Sequence, residues 1–104
     1  MPAALVRSAA RLANLRCDVA FIGTNGLTPR YGLSTPDHDE AAVKRAMIAA
    51  ARKVVLLADS SKLGVELLVS FAPSAAVDVL ITDDGIPTGD RSAFSDEGIE
   101  VVIA

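Results

Sequence analysis

The 104-residue sequence is short of several things, and each shortage excludes something. Cys17 is the single cysteine, so no disulfide can close within the chain. That usage fits a reducing compartment. Tryptophan is absent and aromatics make up only 4%, so a core has to be built from Ala, Val, Leu and Ile. No run reaches the ~18 uninterrupted apolar residues of a membrane-spanning helix. Arg7, Arg11 and Arg16 break up the N-terminal apolar stretch, which therefore lacks the uncharged centre of a signal peptide. Positive charge is not in excess. A net charge of −3 argues against a direct nucleic-acid interface, which needs a basic face to displace counterions. No Walker motif, GxGxxG or GxSxG occurs. His38 has no matching Cys or His cluster, so zinc is not expected. These absences describe a cytoplasmic chain with no membrane partner, no metal and no cofactor.

What is present is apolar. Hydrophobic residues make up 51%, enough for one packed domain and too many for disorder. Residues 3–15, "AALVRSAARLANL", read as a helix with Leu5, Ala9, Leu12 and Ala13 on one face. Residues 17–22, "CDVAFI", read as a strand covered on both sides. Cys17 is assigned to the core. Gly23 to Gly32, "GTNGLTPRYG", reads as a loop. A second helix follows, with Thr35 and Asp37 both suited to cap it and Asp37-x-x-Glu40 resembling a capping box. Its spacing continues through Val43, Ala46, Met47 and Ala50 to about Arg52. Residues 53–58, "KVVLLA", are a strand, and 66–71, "ELLVSF", fit strand or helix. Pro73 starts a turn. Residues 78–82, "DVLIT", are a buried strand, Ser92 to Glu97 a short helix, and 99–104, "IEVVIA", a last strand.

Alternating elements with nearly continuous apolar strands predict an α/β fold. It is Rossmann-like, with a mostly parallel sheet, helices on both faces and right-handed crossovers. Ligands of such sheets sit outside the carboxyl ends of the strands. Three loops fall there: Gly23–Gly26, Asp59–Gly64 and Asp83–Gly85.

Each candidate side chain has a plain reading beside a functional one. Asn25-Gly26 is a turn by composition. Alternatively, Gly23 and Gly26 allow close backbone approach while the Asn25 amide meets a hydroxyl. Lys62 is either solvated or an ammonium that pairs with Asp59 when the site is empty and with an anion when it is filled. Asp83 and Asp84 form a polar turn or a Mg²⁺ site. From these patterns alone the chain is a small α/β domain with a candidate anion site.

Three stretches together carry a resemblance: "DVAFIGTNGLTPRYGLST", "DEAAVKRAMIAAARKVVLLADSSKLG" and "VDVLITDDG". In order and spacing they resemble the effector-binding domain of DeoR-type bacterial transcriptional repressors, over roughly residues 15–104. That domain is similar to ribose-5-phosphate isomerase A. The resemblance implies a fragment of a ribose-5-phosphate isomerase/CoA transferase-like domain and a phosphorylated sugar as effector, for example a fructose or tagatose phosphate. The isomerases' acidic turn reads Ile22-Gly23-Thr24-Asn25 here, without its acids. Their active-site lysine turn is kept as Ala58-Asp59-Ser60-Ser61-Lys62. Their catalytic glutamate falls on Lys44. Aldose–ketose isomerisation needs a carboxylate base, and a protonated amine cannot replace it.

The resemblance therefore implies non-catalytic binding by Gly23, Thr24, Asn25, Gly26, Thr35, Lys44 and Lys62. It further implies a homo-oligomer that controls DNA only through an N-terminal winged helix-turn-helix. That head and the usual phosphate loop are not among these 104 residues, so the chain is expected to be an N-terminally truncated single sensor domain. Competing readings are a sugar-phosphate isomerase or deaminase of the same fold, and a phosphoacceptor receiver. The receiver reading is opposed by the order of its acids and lysine.

Overall fold

A seven-residue strand, β1 (Cys17–Gly23), opens the part of the chain that the computed structural model describes, residues 16–104. The helix expected over 3–15 lies outside the described residues. After β1 come β2 (Gly26–Thr28), β3 (Gly32–Thr35), α1 (His38–Ala50), β4 (Ala51–Leu57) and a 3-10 turn (Ser60–Lys62). Then follow β5 (Val69–Ala72), a second 3-10 turn (Ser74–Ala76), β6 (Val79–Thr82), α2 (Thr88–Asp96) and β7 (Glu100–Ile103).

Strands β1, β4, β6 and β7 pair in parallel in that order, so the α/β architecture is the expected one. Each connection steps to the next neighbour in the same direction. Right-handed crossovers then put all of them on one face of the sheet. The side chains agree. Ala20, Ile22, Val54, Leu56 and Leu80 project into one core with Leu27, Leu33, Phe71 and Phe94. The described helices α1 and α2 share that face. Leu56 is completely buried, which contributes about 1.5–3 kcal/mol relative to exposure. The opposite face carries Val19, Phe21, Leu57 and Val102, all exposed. Cys17 opens β1 on this second face and is exposed, not a core residue as expected.

The segment read as a glycine loop is largely strand. β2 and β3 form an antiparallel hairpin, and β5 joins β3 to make a three-stranded sheet over the core. This resolves 66–71: Val69 to Ala72 is strand. Gly32 makes the tight approach possible. Its φ is +82°, and a Cβ there would strike the Ala72 carbonyl.

Helix α1 is capped by Asp37, whose Oδ1 accepts from the Asp39 and Glu40 amides at 2.8 and 3.5 Å. The capping box is half made. Glu40 turns away and accepts from the Thr35 hydroxyl at 2.9 Å. Thr35 is therefore a β3 residue behind the cap. α1 ends at Ala50 and β4 begins at Ala51, without a connecting loop. At the amino edge of the sheet, Asp78 takes the place of a strand neighbour. Its Oδ2 accepts from Val54 N at 2.7 Å, while its own N–H donates to Val54 O at 2.9 Å.

Candidate functional site

At the carboxyl edge of the parallel sheet the three expected loops meet. Asp59, two residues past the end of β4, caps the 3-10 turn: its Oδ1 accepts from Ser61 N at 2.9 Å and from the Ser61 hydroxyl. The turn is closed by Lys62 N donating to Asp59 O at 3.0 Å. Asp83, at the end of β6, reaches across to it. Ser60 N donates to Asp83 Oδ2 at 2.9 Å, and Gly85 N donates to Oδ1 at 2.8 Å. One carboxylate thus holds two loops together. On the other side, Leu63 bridges to Leu27, and Gly64 N donates to Leu27 O at 2.9 Å. The lysine turn is stitched to β2 and, through it, to the Thr24–Gly26 segment.

The electrostatics follow from these bonds. The Ser61 hydroxyl, then the Ser61 N–H, hold the Asp59 carboxyl below its ordinary value, and the nearby Lys62 charge adds to this. Ser60 and Gly85 do the same for Asp83. Both side chains are ionised acceptors at neutral pH. Beside them opens a cleft of about 290 Å³, lined by Leu57, Ala58, Ile81, Thr82 and Ala104 as well as the two aspartates.

The predicted site residues divide into two groups. Gly23 lies at the exposed end of β1, with open space where a Cβ would stand. Asn25 is exposed beside it. Thr24 is buried, and its hydroxyl donates to the carbonyls of Gly26 and Ser34 at 2.8 and 3.2 Å. Gly26 is a packing residue: a Cβ would come within 2.5 Å of Val65 O and 2.7 Å of Ser34 Oγ. Lys62 is half-buried on its turn.

Thr35 and Lys44 belong elsewhere, around α1. The Lys44 ammonium sits 5.3 Å from the centroid of the Phe71 ring. Burial pushes its pKa down, against the pull of Glu40 one turn away. No hydrogen bond or ion pair among the described residues links Thr35 or Lys44 to Lys62.

The clamp by Asp83 was missing from the sequence reading, which offered a polar turn or Mg²⁺. Among the described residues no three His, Cys, Asp or Glu side chains come together to hold a metal ion. The available signal was an Asp-x-Gly turn, which favours a carboxylate bonding the amide two residues on. Its second partner, Ser60, is 23 residues away and depends on the β4–β6 pairing.

A one-directional parallel sheet with polar, lysine-bearing turns at its carboxyl edge defines a Rossmann-like ligand-binding domain. The "DeoR C terminal sensor domain" family matches residues 4–84, and the chain belongs to it. It is a regulatory sensor domain, not an enzyme. Among similar proteins, the HTH-type transcriptional regulator GlpR of Haloferax volcanii is 44% identical over 85 residues, covering 82% of this chain and 33% of that protein. The HTH-type transcriptional repressor GlcR of Bacillus subtilis is 37% identical over 97 residues, covering 89% and 36%. The glycerol-3-phosphate regulon repressor of Escherichia coli is 29% identical over 90 residues, covering 86% and 36%. The chain spans about a third of the length of these curated relatives.

Proposed function

We propose that this domain senses a phosphorylated sugar and that occupancy controls DNA binding by a winged helix-turn-helix of the same regulator. The effector lies across the carboxyl edge of the sheet. Lys62 holds its anionic part, and Asn25 with the Gly23 backbone contacts hydroxyls. The observation that carries the reading is the Lys62 turn, capped by Asp59, clamped by Asp83 and stitched to β2. It is a cation on a pre-organised loop beside a cleft, in a family of sensor domains. By the resemblance, Lys44 falls at the position of the isomerases' base. A cation stacked on Phe71 cannot act as a carboxylate proton carrier, which favours binding without turnover.

The regulator acts in the cytoplasm as a homo-oligomer. Its effector shifts subunit arrangement only by binding one arrangement more tightly than the other.

Titration calorimetry of the chain with a panel of sugar phosphates, Lys62→Ala in parallel, tests this. Binding by at least one ester, weakened tenfold or more in Lys62→Ala, is the expected result. Unchanged affinity in the variant removes Lys62 from the site, and no heat from any ester overturns the sensing assignment.

A further inference from the structure

Lys62 sits on a short piece of chain that is tethered on both sides. Its 3-10 turn has two local backbone bonds, Lys62 N to Asp59 O at 3.0 Å and Leu63 N to Ser60 O at 3.2 Å. Such turns are brief and their hydrogen bonds poorly aligned, so their shape depends on what holds them. Two longer-range bonds do so. Two residues before the lysine, Ser60 N donates to Asp83 Oδ2 at 2.9 Å. Two residues after it, Gly64 N donates to Leu27 O at 2.9 Å. The first tether comes from the end of the parallel sheet, the second from the antiparallel one.

The two tethers differ in what they ask of the sequence. The Gly64 bond joins backbone to backbone. The Ser60 bond needs a particular side chain opposite it and a particular absence beside it. Asp83 offers two acceptors at once: Oδ1 takes the Gly85 N–H at 2.8 Å, which orients the carboxylate, and Oδ2 is left for Ser60. Gly85 is the absence. A Cβ there would stand 2.5 Å from Ser60 Oγ, 2.9 Å from Asp83 Oδ1 and 3.1 Å from Ser60 Cβ. All three atoms belong to the clamp, so a side chain at position 85 displaces the clamp itself. Gly85 is not one of the glycines with positive φ, so it serves close approach and not backbone conformation.

We propose that Asp83 and Gly85 are positioning residues for Lys62: through Ser60 they hold its turn in one conformation and so set the affinity for an anion. The proposal rests on the sensing assignment above and gives neither residue a contact with the effector. A lysine on a loose turn has backbone and side chain to order when an anion binds, and that cost is subtracted from affinity. On a fixed turn only the side chain remains to be ordered. Charge alone predicts the reverse. An ionised carboxylate on the neighbouring loop opposes an anion, so its removal would tighten binding. The two accounts therefore differ in sign.

Backbone NMR relaxation of the free chain, followed by calorimetry with fructose 1-phosphate, fructose 6-phosphate and tagatose 6-phosphate, tests this. In Asp83→Ala and in Gly85→Ala the amide order parameters of residues 60–63 should fall from about 0.85 toward about 0.6, with those of β1 and β4 unchanged. Whichever ester the parent binds should bind about three- to tenfold more weakly to both variants, at unchanged stoichiometry. Asp83→Asn keeps an acceptor for Ser60 and should lie between Asp83→Ala and the parent. In a Lys62→Ala background, Asp83→Ala should add less than about twofold. A merely structural role would lower the folded fraction, and with it the stoichiometry, while leaving the affinity of the folded chain as it was.

Order parameters unchanged in both alanine variants overturn the proposal. So does tighter binding by Asp83→Asn or Asp83→Ala, which would mark an effect of charge on the ligand, and so does full additivity with Lys62→Ala. An ester weakened by Lys62→Ala but bound equally by the parent and the position 83 and 85 variants overturns the positioning and leaves sensing through Lys62 standing. An ester bound by the parent and untouched by Lys62→Ala removes Lys62 from the site, and the positioning role with it. Silence of the parent with all three esters overturns both assignments.

Discussion

Ser60 N–H and the Asp83 carboxylate, 23 residues apart, meet at 2.9 Å across the carboxyl ends of β4 and β6. The bond turns two separate loops into one unit. Asp83 is held below its ordinary pKa by the Ser60 backbone bond first, then the Ser60 side chain and the Gly85 N–H. A depressed carboxylate stabilises the fold above the ordinary aspartate pKa of about 4, and this is lost as pH falls through the lowered folded value. Stability of the parent should therefore drop in acid more steeply than that of Asp83→Asn. Urea midpoints between about pH 2 and pH 6 measure the difference. Parallel profiles would remove the clamp from the account.

Gly26 and Gly23 should respond differently to alanine. At position 26 the new methyl meets backbone at Val65 O and the Ser34 hydroxyl, so Gly26→Ala should cost about 1–3 kcal/mol. At position 23 there is nothing within 4 Å, and Gly23→Ala should stay within about 0.5 kcal/mol. Denaturant midpoints of both variants check this.

Lys44 is a contest between burial and the Phe71 ring. Burial penalises the ammonium, and this dominates its lowered pKa. The penalty is full below the folded pKa and is relieved as pH rises toward the unfolded value. Lys44→Met should thus be no less stable than the parent near pH 7, with the parent gaining on it toward pH 10 or so. Thermal melts at both ends decide. A clearly weaker variant would mean that the cation–ring attraction, about 0.5–2 kcal/mol, wins.

Asp78 completes the hydrogen bonding of Val54, the first buried residue of β4. Asp78→Ala leaves that N–H unpaired and should cost about 1–3 kcal/mol. Asp78→Asn keeps an acceptor and should recover most of it. Hydrogen exchange at the Val54 amide reports the same loss locally.

The parallel sheet was legible because its strands are nearly continuous apolar runs, "CDVAFI", "VVLL" and "VLIT". Its carboxyl-edge loops followed from topology alone. The three-stranded sheet was not legible. β2 and β3 are three and four residues long, and all of β3 is buried, so no alternation marks them. The end of α1 was set two residues late because no glycine or proline separates Ala50 from Ala51. Thr35 read as a cap because its neighbours resemble one; tertiary pairing with β5 claimed it for a strand.

The missing joint between Ala50 and Ala51 has a mechanical meaning. α1 packs on β5 and β3 at one end of its reach, and β4 delivers the Asp59 turn at the other. With no slack residue between them, helix and strand form one bent lever. The seat of α1 on β5 and β3 and the starting position of β4 are therefore set together, with no intervening residue to decouple them.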